Sequence, residues 1–440
     1  MMKRSWIRIF VLAMGIPLLL TMLVACGSGT STTGSSTPTG PITIKIATEL
    51  PVSGKDTSDG KPPEDGVHLA IDEANASNAL PGYRLQLLPK DDVGLNGSHD
   101  PSIGKQNVSA LIDDAQVAGI VGPLNSSVAQ AEMPIANQAP IALISPANTN
   151  PCLTKDTADV GCNGHNDLLP VLRSTGKVTY FRVATTDDHQ GPANADYLYN
   201  TQHYRKVYII DDAEAYGIGI ANTFGAEWRK IGGTVLGHSS EPGTTSSYVS
   251  LLTVIASTHP DLIYFGGTTG TGGPLVRLQM EQVPALKDTA FAGGDGIVDT
   301  SFASTIGLTG GPVYATVATV NANKVPAAAS FISKYQSVYG PLGSYSAAGY
   351  DCAKILIQAI KTALANGAHP AQNSGDAAAT RSFRQAVIDA LKNTNYDGVT
   401  GHQSFDANGD TTNKVISIYK LAANASGKPD WVYQTAVTVQ

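Results

Sequence analysis

From residue 42 onward the chain changes its spacing of apolar positions at regular intervals. "ITIKIAT" and "YRLQLLPKDD" read as strands, whereas "EDGVHLAIDEANAS" and "SIGKQNVSALIDD" place apolar residues at helical spacing. "VAGIVGP" follows as a short apolar strand, a helix runs on from about Ser127, and "PIALISP" is another strand. Strands alternating with helices of this length predict βαβ units and a parallel sheet.

The rhythm restarts near residue 178. "VTYFRVAT", "YRKVYIIDD", "GTVLGHSSE", "PDLIYFGG" and "TAFAGGDG" are predicted strands, with helices through "NTFGAEWRKIG", "SLLTVIAS" and "LVRLQMEQV". They predict a second parallel sheet of similar size, alike in architecture though without a sequence repeat. After "GGPVYATVAT" come two strong helices, "SYSAAGYDCAKILIQAIKTALANG" and "TRSFRQAVIDALKNT", then short strands in which Asn408-Gly409 marks a hairpin-type turn. The order of parts predicts an α/β fold of two Rossmann-like lobes, parallel sheets flanked by helices, joined by a multi-strand hinge. Residues 42–182 with 313–398 are assigned to lobe 1, and 183–312 with 399–440 to lobe 2.

The first residues follow neither rhythm. Lys3, Arg4 and Arg8 precede an almost wholly apolar run over residues 9–25, which is the pattern of a secretory signal. "LVAC" then resembles the lipobox of bacterial lipoproteins, which implies cleavage after residue 25 and a diacylglyceryl group on Cys26; a plain signal or an anchor helix is the alternative. The "GSGTSTTGSSTPTGP" that follows, within residues 26–41, is a flexible spacer reaching roughly 20 Å. The expected location is extracytoplasmic, on the outer face of a bacterial membrane.

Composition narrows the partners. Removing residues 1–25 takes away three positive charges and no negative one, moving the formal net charge from −7 to −10. An acidic chain without a basic run argues against nucleic acid. Cys152 and Cys162 sit close together in a polar loop and read as a disulfide, worth about 2 to 3 kcal/mol on the chain-entropy model. A metal pair with His165 is the alternative, without a fourth ligand. Cys352 falls on a helical apolar pattern, as a buried small hydrophobe does.

No catalytic pattern emerges. There is no G-x-S-x-G, and "GGTTGTGG" lacks the spacing of a phosphate loop. "DANGDTTNKVIS" begins like a calcium loop with Asp406, Asn408 and Asp410, yet has Thr411 and Ser417 where Gly and Glu are needed. No enzyme activity, metal or cofactor is expected.

What stands out is "GPLNSSVAQAEMPIANQAPIALISPANTNP", two runs of small polar residues, each just after a strand end. In open α/β sheets, ligands bind beyond the carboxyl ends of strands. Together with "YFRVATTDDHQGPANADYL", "KVYIIDDAEAYGIGIANTF", "PDLIYFGG", "FAGGDGIVD" and "SYSAAGYDCAKILIQAI", this stretch resembles type I periplasmic binding proteins, in particular the branched-chain amino acid (Leu/Ile/Val)-binding lipoproteins of ABC importers. The likeness spans nearly the whole chain after the spacer.

The resemblance implies a site. Ser126 and Thr149 match the residues that hold a ligand carboxylate, and a helix start there favours an anion. Ala147, by its carbonyl in the loop with Asn148, and Asp295 match the groups that meet the ammonium. Tyr216 matches an aromatic cover. Three departures, Asn125, Thr268 and Asp59, make the side-chain pocket more polar than in branched-chain binders. The implied ligand is therefore an amino acid or a related small amide or carboxylate, and the implied partner an ABC permease, with the protein acting as a monomer. A sensing module feeding a membrane receptor kinase would carry the same pocket.

Overall fold

The apolar runs become central strands. In the first half, β1 (Ile42–Leu50), β2 (Tyr83–Asp91), β3 (Val117–Val121), β4 (Ala142–Ser145) and β5 (Tyr180–Arg182) form one sheet in the order β2-β1-β3-β4-β5, every pair parallel. β3 and β4 are buried along their whole length, as parallel strands covered by helices on both faces must be. The helices between are α1 (Thr57–Ala76), α2 (Pro101–Asp113), α3 (Ser126–Gln138) and the short α4 (Leu168–Leu172). α2 starts where Asp100 accepts from the Ser102 amide and Pro101 occupies the first turn, a favoured N-terminal arrangement. The computed structural model describes residues 40–156, 168–371 and 375–439.

The second half repeats the winding. After α5 (Asp187–Asp196) come β6 (Lys206–Asp211), α6 (Ala215–Lys230), β7 (Thr234–Ser240), α7 (Val249–Ala256), β8 (Leu262–Gly266), α8 (Gly273–Met280), β9 (Ala290–Gly293), α9 (Thr300–Ile306) and β10 (Val313–Val317). Their sheet runs β14-β13-β10-β9-β8-β6-β7, where β13 (Val415–Ala423) and β14 (Pro429–Thr438) are antiparallel additions at one edge of an otherwise parallel set. Phe224 of α6 stacks on Tyr264 of β8 at 3.7 Å between ring centroids, with Trp228 beside it, and fixes that helix to its sheet.

Two expected lobe boundaries move. β10 was assigned by residue number to lobe 1, but it pairs with β9, so the chain returns to the first lobe only after Val317. There α10 (Ala329–Tyr339), α11 (Ser346–Ala365) and α12 (Ala377–Leu391) pack around α1 and β3. The small pair β11 (Tyr396–Gly398) and β12 (Gly401–Gln403) follows. The Asn408-Gly409 turn does close a hairpin, with Phe405 bridged to Thr411, but it docks on β5 of the first lobe, where the Arg182 amide donates to the Gly409 carbonyl at 3.1 Å. Residues 399–412 therefore stay with lobe 1 and the chain enters the second sheet at β13.

Arg182 anchors this docking. Wholly buried, it donates from Nε to Asp410 at 2.7 Å and from Nη1 to the carbonyls of Asn148 and Asn150. Asp410, in the stretch that begins like a calcium loop without completing one, is thus the partner of a buried guanidinium. Cys352 is free and buried, and burial pushes its thiol well above the usual range. Cys152 is buried and disulfide-bonded. Cys162, His165, Cys26 and the leader lie outside the described residues. Among the described residues no helix is long and apolar enough to cross a membrane.

Candidate functional site

The strand order reverses between β1 and β3 in the first sheet and between β6 and β8 in the second, which is where an open α/β sheet leaves a crevice. The segments that follow β1, β3 and β4 meet those that follow β6, β8 and β9. Between them lies a cavity of about 30 Å³ lined by Asp59, Leu124, Asn125, Ser126, Ala147, Thr149, Tyr216, Thr268, Asp295, Gly296 and Tyr345. That volume suits about one water molecule. A solute of amino-acid size enters only when the lobes part.

The first-lobe wall is built by two turns. α3 begins without a capping side chain, because the Asn125 carboxamide does not close on the helix. Its first N–H groups have no partner within the helix, and the positive end of the helix faces the turn that carries Ser126. The Asn125 Oδ1 is buried and has no hydrogen-bond partner among the described residues. The Thr149 hydroxyl, 1% exposed, lies near Asp187 without closing a hydrogen bond. Gly122, at φ 139°, lets the chain turn out of β3 where any Cβ would strike the Glu49 carbonyl.

The second-lobe wall centres on Asp295. Its Oδ1 accepts from Gln190 Nε2 at 2.6 Å and from the Tyr216 hydroxyl at 2.9 Å, and its Oδ2 accepts from the Tyr345 hydroxyl at 2.7 Å. Burial raises the pKa of Asp295, and the hydrogen bonds from Tyr345, Gln190 and Tyr216 oppose that rise. Behind it, Asp187 shares the same Gln190 donor at 3.0 Å and leaves its other oxygen unpartnered. Burial and the charge of Asp295 push Asp187 well above the carboxylate range. Of the two, Asp295 faces the cavity and Asp187 lies behind it.

Thr268 is held from behind. Its amide donates to the Thr271 hydroxyl at 2.8 Å, and that hydroxyl donates to Asp212 at 2.7 Å. Burial and neighbouring Glu214 push Asp212 up to about 7. Gly296 is needed here: a Cβ would lie 2.6 Å from the Gly267 carbonyl and 2.9 Å from the Tyr216 ring.

Seven of the eight sequence-predicted residues thus line one cavity: Asn125, Ser126, Ala147, Thr149, Tyr216, Thr268 and Asp295. Asn148 does not. Its side chain donates to the Leu124 carbonyl and accepts from Tyr180, so it braces the two turns from within the lobe. Asp59, the third departure, is in place. Tyr345 and Gln190 were missed; Tyr345 stands just before α11, where the local pattern signals only a packed helix.

Hydrogen bonds cross between the lobes around the cavity. Glu214 accepts from Ser127 at 3.0 Å and meets His99 Nε2 at 2.8 Å; Ser58 donates to Asp299 at 2.9 Å; Asn150 donates to the Ala215 carbonyl. The arrangement is a two-lobed clamp. It offers donors and the Asp59 carboxylate on the first-lobe wall, the Asp295 carboxylate on the other and, among the described residues, no nucleophile–base pair.

Comparison with known proteins shows the family and the fold. The periplasmic binding protein family model matches residues 43–427. A Leu/Ile/Val-binding protein of Rhizobium johnstonii is 27% identical over 383 residues, covering 86% of this chain and 92% of its own. Among solved structures, a leucine-binding protein from Thermotoga maritima superposes with a TM-score of 0.71 at 23% identity, covering 90% of this chain and 99% of its own. A solute-binding protein from R. palustris in complex with 4-hydroxybenzoate also reaches 0.71, at 16% identity, covering 90% and 97%. The chain belongs to the periplasmic binding protein family, among the type I members similar to Leu/Ile/Val-binding proteins.

Proposed function

We propose that the protein is an extracytoplasmic solute-binding lipoprotein of an ABC importer, which closes its lobes on an amino acid or a related small amide or carboxylate. The observation that carries this is the convergence of six strand ends on one cavity, with the uncapped start of α3 on one wall and Asp295 on the other. A zwitterion complements both. Its carboxylate meets Ser126, Thr149 and the free N–H groups of α3; its ammonium meets Asp295 and the Ala147 carbonyl, under Tyr216.

Closure follows from the same contacts. A ligand shifts an open–closed equilibrium only as far as it binds the closed form better, and contacts contributed by both lobes exist only when the lobes meet. That similar proteins include a leucine-binding protein and a solute-binding protein in complex with 4-hydroxybenzoate supports this reading of the ligand class. Anchoring rests on Cys26 after the apolar run. Calorimetry of the purified protein against amino acids, amides and small carboxylates tests the ligand class, and loss of fatty-acid labelling in Cys26→Ser tests the anchor.

A further inference from the structure

The cavity holds one carboxylate more than a zwitterion needs. Asp295 is satisfied by three donors, whereas Asp59, half-buried in the first turn of α1, makes no hydrogen bond or ion pair among the described residues. Among the described residues, no Lys, Arg or His lines the cavity. The nearby cations are committed: His99 lies between Asp56 and Glu214, and Lys61 between Glu64 and Asp65. A second acceptor waits on the same cavity, since Asn125 Oδ1 belongs to a residue 7% exposed and has no partner.

We propose that the cleft selects an amino acid whose side chain ends in a cation, an ammonium or guanidinium seated against Asp59 with Asn125 Oδ1 as a further acceptor. The inference rests on the amino-acid reading given above and specifies its side chain. The surroundings of Asp59 favour this charge. Burial first, then the charges of Asp299, Asp56 and Asp295, push its carboxyl well above the usual range, with His99 opposing. A cation beside a carboxylate so placed favours its ionised form. A leucine-like side chain would leave it to protonate; a lysine-like one supplies the missing charge.

The test is a calorimetric comparison of L-lysine and L-ornithine with L-norleucine, which has the length of lysine without its charge, on the purified full-length protein. We expect L-lysine or L-ornithine to bind at least tenfold more tightly than L-norleucine. In Asp59→Asn and Asp59→Ser that preference should collapse towards one, while Asp295→Asn weakens all three ligands. Equal or tighter binding of L-norleucine by the wild type overturns the assignment of Asp59 and leaves the amino-acid reading intact, as does a lysine preference that survives both Asp59 variants. If the wild type binds none of these probes nor any other amino acid, the amino-acid reading falls, and this inference with it. The wild-type comparison needs no variant to fold.

Discussion

His99 of the first lobe and Glu214 of the second meet across the cleft, Nε2 to Oε2 at 2.8 Å, while His99 Nδ1 is held by Asp56 at the same distance. Burial disfavours the charge on His99, but hydrogen bonds to Asp56 and Glu214 and their charges outweigh it and hold the imidazolium well above its ordinary pKa. Burial pushes Glu214 up, but the hydrogen bond and charge of His99, together with the Ser127 bond, outweigh it and hold the carboxyl below its ordinary value. The bridge is an ion pair between the two lobes.

A pH dependence follows. A group whose folded pKa is raised contributes stability that is complete below its unfolded value, about 6.5 for His, and is lost as pH rises through the folded value. His99→Gln is therefore expected to cost about 1 to 3 kcal/mol at mildly acidic pH, and the difference from wild type should shrink towards alkaline pH. Urea unfolding of both proteins across that range measures it. A difference independent of pH would mean the imidazole is neutral in the closed form.

A second titration lies inside the first lobe. Glu49, Asp92 and Glu132 are fully buried, and five of their oxygens have no hydrogen-bond partner. Burial raises all three, Asp92 and Glu132 strongly, and their mutual charges add to the rise in Asp92 and Glu132. Since the folded values lie above the unfolded ones, the chain loses stability as pH rises past the ordinary carboxylate range. Glu132→Gln should match wild type near pH 4 and exceed its stability by about 1 to 3 kcal/mol at pH 8. Melting curves at the two pH values decide it.

Arg182 tests the architecture. It ties Asp410 of the late hairpin to the loop that carries Thr149, so Arg182→Met leaves that buried carboxylate with only the Thr154 hydroxyl and the more distant Lys155. The expected cost is about 3 to 5 kcal/mol. The double substitution Arg182→Met with Asp410→Leu should recover part of that loss in unfolding experiments, because it removes both charges together.

Much of this fold is legible in the sequence because parallel strands buried on both faces must be apolar throughout, as "VAGIV" and "LIYFG" are. What the pattern does not carry is partnership. "VYATV" suits either sheet, and only its pairing with β9 places it in the second. α10 and β14 escaped notice, the latter because it is an edge strand with exposed alternate residues. The site followed the same division. The family resemblance pointed to Ser126, Thr149 and Asp295 at strand-end loops, but side-chain direction was hidden: Asn148 turns to Leu124 and Tyr180, whereas Tyr345 reaches Asp295 from fifty positions away in sequence.

Closure predicts a change of shape. A solute that bridges Ser126 and Asp295 should draw the lobes together, and the radius of gyration from solution scattering should fall when a binding amino acid is added. Asp295→Asn should abolish that response at the same ligand concentration while leaving the unliganded profile unchanged.

The most direct measurement is the affinity of any amino acid that the wild type binds, compared with its affinity for Asp295→Asn. The account predicts a loss of about 1.5 to 3 kcal/mol, roughly ten- to a hundredfold, because a charge-assisted bond to the ammonium disappears. An unchanged affinity would contradict the placement of the ligand between Ser126 and Asp295, and with it the cleft as the site of binding.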